Sequence, residues 1–232
     1  MMNGAGWALG ILGITLAGIC MGHQGAAATH GPLVQRGRVL FMRPRGIGGN
    51  ALACTSCHLE GGRDPDALPL LGVAAQYPRY SSRAHRTISL SNRINQCIVY
   101  SLKGRRLPNH SVNLEALSLY VSHLEGVPTA FHPLRTTGQP NLAMGRSWYE
   151  RACVSCHGMN GQGEANAFHA PPLWGSQSFT RAAGLAHPGA LAAFIQKAMP
   201  LAPEEGVNPG GLREHTAIDI AEYILAHSRP KA

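Results

Sequence analysis

Two five-residue stretches constrain this chain more than any other feature: Cys54-Thr55-Ser56-Cys57-His58 and Cys153-Val154-Ser155-Cys156-His157. Two cysteines separated by two residues and followed at once by histidine form the attachment site of a c-type haem. The spacing brings both sulfurs to one edge of a porphyrin, where they bond to its vinyl groups. The chain then turns the histidine onto the iron as proximal ligand. One such stretch would also fit a zinc site or a redox dithiol. Two, each in a matching context, point to two covalently bound haems. Four of the six cysteines are then spent on porphyrin, so no disulfide framework is expected, and Cys20 and Cys97 are left over.

The rest of the chain repeats around these stretches. Aromatic residues make up only 6% of the 232 residues, against 28 glycines and 16 prolines. A chain so short of large side chains needs another apolar mass to pack around, and two haems supply it. Its length suffices for two domains of ~100 residues. Ahead of the first motif, Pro32–Met42 reads as a helix in which Gly37 and Phe41 share a face. Ahead of the second, 141–152 repeats the pair as Gly145 and Tyr149. A glycine there lets the opening helix of each copy pack closely on its closing helix. Gly145 precedes Cys153 by 8 residues, whereas Gly37 precedes Cys54 by 17, so the first copy carries an insertion, Arg43–Ala53. Leu114, Leu117, Tyr120, Val121 and Leu124 mark the closing helix of copy one; Ile218, Ala221, Ile224 and Leu225, with Tyr223 alongside, mark that of copy two. The expected fold is mostly α, with two tandem class I cytochrome c domains, each enclosing one covalent haem, and no substantial sheet. The expected boundaries are 29–126 and 140–232, joined by a Pro- and Gly-containing linker, 127–139.

Residues 1–28 contain no Lys, Arg, Asp or Glu, and Gly4 to Gly22 is almost wholly apolar or small. With Ala26-Ala27-Ala28 as a small-residue cleavage site, this reads as a secretory leader. Left uncleaved, the same run is long enough to anchor the chain in a membrane. Export to the periplasm fits the attachment chemistry. Charge is uneven: 12 basic and 5 acidic residues lie between Thr29 and Gly126, against 8 and 7 from Val127 onward. A basic excess in one half suggests anions or an acidic partner. Nucleic acid is not expected, since no motif for it appears.

Each iron takes a sixth ligand from a segment before the closing helix. In copy two that place belongs to Met199, 42 residues after His157, with Lys197 and His169 as rivals. In copy one it belongs to Cys97, 39 residues after His58, and no methionine occurs between His58 and Tyr120. An inert buried thiol at Cys97, or ligation by His85, are the competing readings. Seven cations, Arg79, Arg83, Arg86, Arg93, Lys103, Arg105 and Arg106, surround Cys97 in sequence with no Asp or Glu among them. Nearby cations favour the thiolate that acts as ligand and nucleophile, and they attract anions.

Several segments are similar to the dihaem thiosulfate dehydrogenases. They are Cys54–Arg63, Pro69–Val73, Tyr77–Arg83, Ile88–Cys97 with its Asn-Arg-Ile-Asn-x-Cys run, Ala170–Gly175 and Ala198–Leu201. The resemblance covers nearly all of Gly31–Pro230. It implies oxidation of two thiosulfates to tetrathionate, with electrons passing to an external acceptor such as a small cytochrome c or another redox protein. It also implies Cys97 as distal ligand and active-site cysteine of the first haem, with Arg83, Arg93 and Ser101 forming the substrate pocket. Thiosulfate is a dianion, and arginines can bind its oxygens with paired N–H donors. The chain departs from some members, which carry Lys immediately before the distal Met; here that position is Ala198. Two rivals stand beside this reading: a non-catalytic dihaem electron-transfer protein, and a relative that reduces tetrathionate or acts on another sulfur anion.

Overall fold

The computed structural model describes residues 25–43, 46–136, 138–163 and 170–231. Most of the expected leader, with Cys20, lies outside the described residues, as does His169. The first helix, α1 (Gly25–Met42), begins seven residues before the expected start. The alanines at 26–28 have the highest helix propensity, and α1 runs through Pro32 at the cost of one backbone bond and crowding against the preceding turn. The chain continues through α2 (Leu59–Gly62), α3 (Leu90–Tyr100) and α4 (Val112–Ser122). It then repeats with α5 (Leu142–Ala152), α6 (Val154–His157), α7 (Pro188–Ala198) and α8 (Glu214–Ala226). Side-chain caps start three of the long helices: Ser89 accepts from Asn92 N–H, Ser111 from Leu114 and Asn141 from Met144. Among the described residues the one sheet is a hairpin, β1 (Arg79–Ser81) antiparallel to β2 (Arg86–Ile88). No described helix is long and apolar enough to cross a membrane.

The repeat is visible in the crossings of α1 on α4 and of α5 on α8. A Cβ at Gly37 would run into the Ala116 carbonyl and lie 2.7 Å from Tyr120 Cβ. A Cβ at Gly145 would run into the Asp219 carbonyl and lie 3.0 Å from Tyr223 Cβ. Two glycines, 108 positions apart, therefore do the same work against the same two steps of a closing helix. In the first copy Phe41, Ile98, Leu117, Tyr120, Val121 and Leu124 form the core, with Phe41 and Tyr120 rings 5.2 Å apart. In the second, Tyr149 packs on Trp174 and Tyr223, and its hydroxyl donates to Gly158 O at 2.7 Å.

The second core does not stop at the second copy. Leu52, Ala67 and Leu102, all from the first, are buried in it. Polar bonds stitch the same seam. Asn50, fully buried, donates to Ser101 O and Ser178 O, both at 3.0 Å, and Ala51 N–H donates to Gln177 O at 3.1 Å. The extended chain after α4 also packs down: Leu134 N–H donates to Gly189 O at 2.9 Å, at the start of α7.

Candidate functional site

Both motif histidines are set the same way. His58 Nδ1 lies 2.6 Å from Leu68 O, and His157 Nδ1 lies 2.9 Å from Pro171 O. A carbonyl only accepts, so Nδ1 carries the proton in each ring and the Nε2 lone pair is left to bind a metal. Burial pushes both imidazoles below their ordinary range, and at His58 the Arg93 charge adds to this. Both rings are therefore neutral, the form that ligates. Phe41, on α1, approaches His58 with ring centroids 6.3 Å apart.

The residues beside the second motif fit a haem. A cavity of about 570 Å³ opens beside Cys153, Cys156 and His157, and Met199 lines it too. Leu173, Phe179, Leu191, Phe194, Ile195, Ile220 and Ile224 give it an apolar wall suited to a macrocycle. Thr55, Ser56 and Cys57 of the first motif also line this cavity, so the two attachment sites adjoin. Burial pushes the Cys54, Cys57 and Cys153 thiols up to about 12. Among the described residues no three His, Cys, Asp or Glu side chains converge to hold a metal ion.

Met199 is the C-cap of α7 and turns into the cavity, whereas Lys197 is exposed and absent from its lining. Cys97 is half-buried on α3. It is close enough to both attachment sulfurs that its charge adds to the upward push on Cys54 and Cys57. His85 is exposed at the turn of the β1–β2 hairpin.

Three of the four candidate substrate residues lie on α3 or at its end. Arg93 and Cys97 stand four apart, and Ser101 follows four later as the helix C-cap, so all three lie along one face. The Cys97 sulfur beside Arg93 holds its guanidinium above its ordinary range, against the opposing effect of burial. Arg83 comes from the hairpin. Its Nη1 donates to Ala182 O at 2.7 Å, and its guanidinium lies 4.6 Å over the Tyr100 ring, in the last turn of α3. Apart from Arg93, the cations of the 79–106 segment are exposed. The ion pair found among the described residues, Arg146–Glu150, lies elsewhere.

Sequence reasoning missed several supports of this site. Tyr77 stands beside Arg93. Asn95, fully buried, donates to Leu107 O at 3.0 Å and accepts from Leu107 N–H at 2.8 Å, tying α3 to the loop that follows it. Asn95 sits inside the Asn-Arg-Ile-Asn-x-Cys run, so its presence there was a usable signal. Thr180 and Ala182 come from the other copy and carried no signal.

Comparison with known proteins agrees with two cytochrome c domains. A family model described as SoxA/TsdA, cytochrome c domain, matches residues 36–126, and one described as cytochrome c matches residues 142–228. A thiosulfate dehydrogenase of Allochromatium vinosum is 36% identical over 198 residues, which is 78% of this chain and 71% of that protein. One from Stutzerimonas stutzeri is 34% identical over 88% of this chain and 70% of its own length. The solved thiosulfate dehydrogenase (TsdBA) from Marichromatium purpuratum superposes with a TM-score of 0.77 at 31% identity. That match covers 87% of this chain and 47% of the solved one, so the present chain spans about half its length.

Proposed function

The chain belongs to the thiosulfate dehydrogenases, dihaem cytochrome c enzymes that oxidise thiosulfate, and from that premise we propose that it joins two thiosulfates into tetrathionate at Cys97. The observation that carries the reading is the face of α3: Cys97 beside the Cys54 and Cys57 sulfurs, with Arg93 one turn before it and Ser101 one turn after. His58 and Cys97 would hold the first haem's iron, and His157 and Met199 the second's. Each haem, when bound, supplies one-electron redox chemistry, with the thioether side favouring reduced iron.

The residues of the chain do the rest. Arg93 and Arg83 bind the oxygens of the thiosulfate dianion, and Ser101 orients it. The Cys97 thiolate bonds to the sulfane sulfur of the first thiosulfate, with loss of two electrons, giving an S-linked thiosulfonate on the side chain. The sulfane sulfur of a second thiosulfate attacks that sulfur, the bond to Cys97 breaks, and tetrathionate leaves with the thiolate regenerated. Charge balances at each stage: one thiolate and one dianion become a monoanionic adduct and two electrons, and the adduct and a second dianion return thiolate and tetrathionate. The electrons pass to an external acceptor such as a small cytochrome c. The apolar leader and the attachment chemistry support a periplasmic site of action.

The test is to mix pure holoenzyme with thiosulfate and ferricyanide and assay tetrathionate. Stoichiometric tetrathionate is expected, two thiosulfates consumed for each one formed. Haem reduction by dithionite without any thiosulfate-dependent ferricyanide reduction would instead fit a plain electron carrier.

A further inference from the structure

Arg83 draws its supports from both halves of the molecule. It is exposed at the hairpin, and its two contacts are the Ala182 carbonyl and the Tyr100 ring. Tyr100 belongs to the first copy and Ala182 to the second, so Arg83 has a fixed aim only if these two are fixed to each other. One side chain joins them. The Thr180 hydroxyl donates to Tyr100 O and accepts from Ala182 N–H at 3.1 Å. Thr180 is fully buried, so neither bond competes with water. Its neighbours add to the seat: Ser178 O and Gln177 O accept from Asn50 and Ala51.

We propose that Thr180 is a positioning residue for thiosulfate binding: from the second copy, its hydroxyl ties the two supports of Arg83 together and so aims that guanidinium at the substrate. The inference rests on the reading of Arg83 as a substrate-binding residue. One of the five N–H donors of Arg83 is spent on Ala182, and the rest remain for an anion. The substrate site is thereby completed across the seam, and thiosulfate binding depends on a residue of the domain that does not bind thiosulfate.

The test is a steady-state cycle on the holoenzyme with Thr180→Val, Thr180→Ser, Arg83→Ala and the Thr180→Val/Arg83→Ala double variant. Valine matches the shape of threonine but cannot make either bond; serine keeps both. Thr180→Val is expected to raise the KM for thiosulfate roughly five- to tenfold, the scale of a lost hydrogen bond, with kcat within about twofold of wild type. Thr180→Ser should restore the KM, and Thr180→Val should add nothing once Arg83 is gone. Spectra and potentials of both haems should be unchanged. An unchanged KM in Thr180→Val, or an equal rise with and without Arg83, overturns the positioning role while leaving Arg83 in place. An unchanged KM in Arg83→Ala overturns the premise and the inference with it. Should Thr180→Val not assemble both haems, Thr180→Ala, which removes the hydroxyl together with the γ-methyl, carries the same expectations, with Thr180→Ser as the control that keeps the bonds.

Discussion

Arg93 is the cation whose removal should cost the most. It is half-buried on α3, one turn from Cys97, with Tyr77 alongside and with the His58 ring within reach of its charge. Arg93→Met keeps an unbranched stem of similar helix propensity but is shorter and removes the charge and the donors. A hydrogen bond to a charged group contributes about 1.5–3 kcal/mol, which is roughly 10- to 150-fold in kcat/KM. Partial burial puts Arg93 toward the upper end of that range, because screening is weakest there. Arg83 is exposed, so Arg83→Ala should cost nearer tenfold, and more of that cost should disappear as salt is raised. Arg93→Lys keeps a point charge but loses the planar fork, and should fall between wild type and Met. Arg36 is the control. It donates to Asn113 at 2.8 and 3.0 Å, linking α1 to α4, and Arg36→Ala should leave kcat/KM within about twofold. The assay is thiosulfate-dependent ferricyanide reduction at two ionic strengths. Equal losses at Arg93, Arg83 and Arg36 would refute a discrete pocket in favour of a diffuse positive field.

Three further outcomes are expected. Cys97→Met should retain both haems and accept electrons from dithionite, yet make almost no tetrathionate; near wild-type oxidation would end the covalent role of that sulfur. Met199→Gly should abolish the weak near-infrared band of a thioether–iron bond and lower the potential of the second haem, and absence of the band in wild type would redirect attention to Lys197 or His169. Gly37→Ala and Gly145→Ala each drive a Cβ into a backbone carbonyl that cannot rotate away. Each should cost about 1–3 kcal/mol or more of stability, read as a Tm lower by roughly 2–4 °C per kcal/mol for a chain of this size; an unchanged Tm would show that the helices can part freely.

What could be read from the sequence was whatever repeats or keeps a short period. The glycine–aromatic pairs at 37/41 and 145/149 announced the two helix crossings because a close approach leaves no alternative residue. Cys97 and Met199 were singled out by register within the repeat; Met199 lines the cavity, and Cys97 lies near enough to the attachment sulfurs for its charge to act on them. The acceptors that orient His58 and His157 are backbone carbonyls of Leu68 and Pro171, and a carbonyl is present at every residue, so no letter marks them. Thr180 and Asn50 act across 80 and 128 residues respectively, and single polar side chains contacting so far away leave no periodic trace. The early start of α1 was hidden by the habit of placing proline in a first turn.

The insertion before Cys54 accounts for how the two copies come to be one enzyme. The second copy passes from its crossing glycine to its first cysteine in 8 residues, the first in 17. Within that added length Gly49 N–H donates to Leu102 O at 2.7 Å, Ile47 packs against both cores, and Leu52 is buried in the second. Asn50 fixes the register. Its amide donates twice, to Ser101 O and Ser178 O, and its oxygen accepts from Leu52 N–H at 3.3 Å. A slip of the seam by one residue would strand these groups in a dry interior, at about 1–3 kcal/mol for each unsatisfied partner. The copies are therefore held in one relation, with the first attachment motif set into the wall of the second cavity. A carrier that handles one electron at a time has no need of such a lock. In the proposed reaction two electrons leave one sulfur–sulfur bond as it forms, and the fixed seam holds the two attachment sites side by side to receive them.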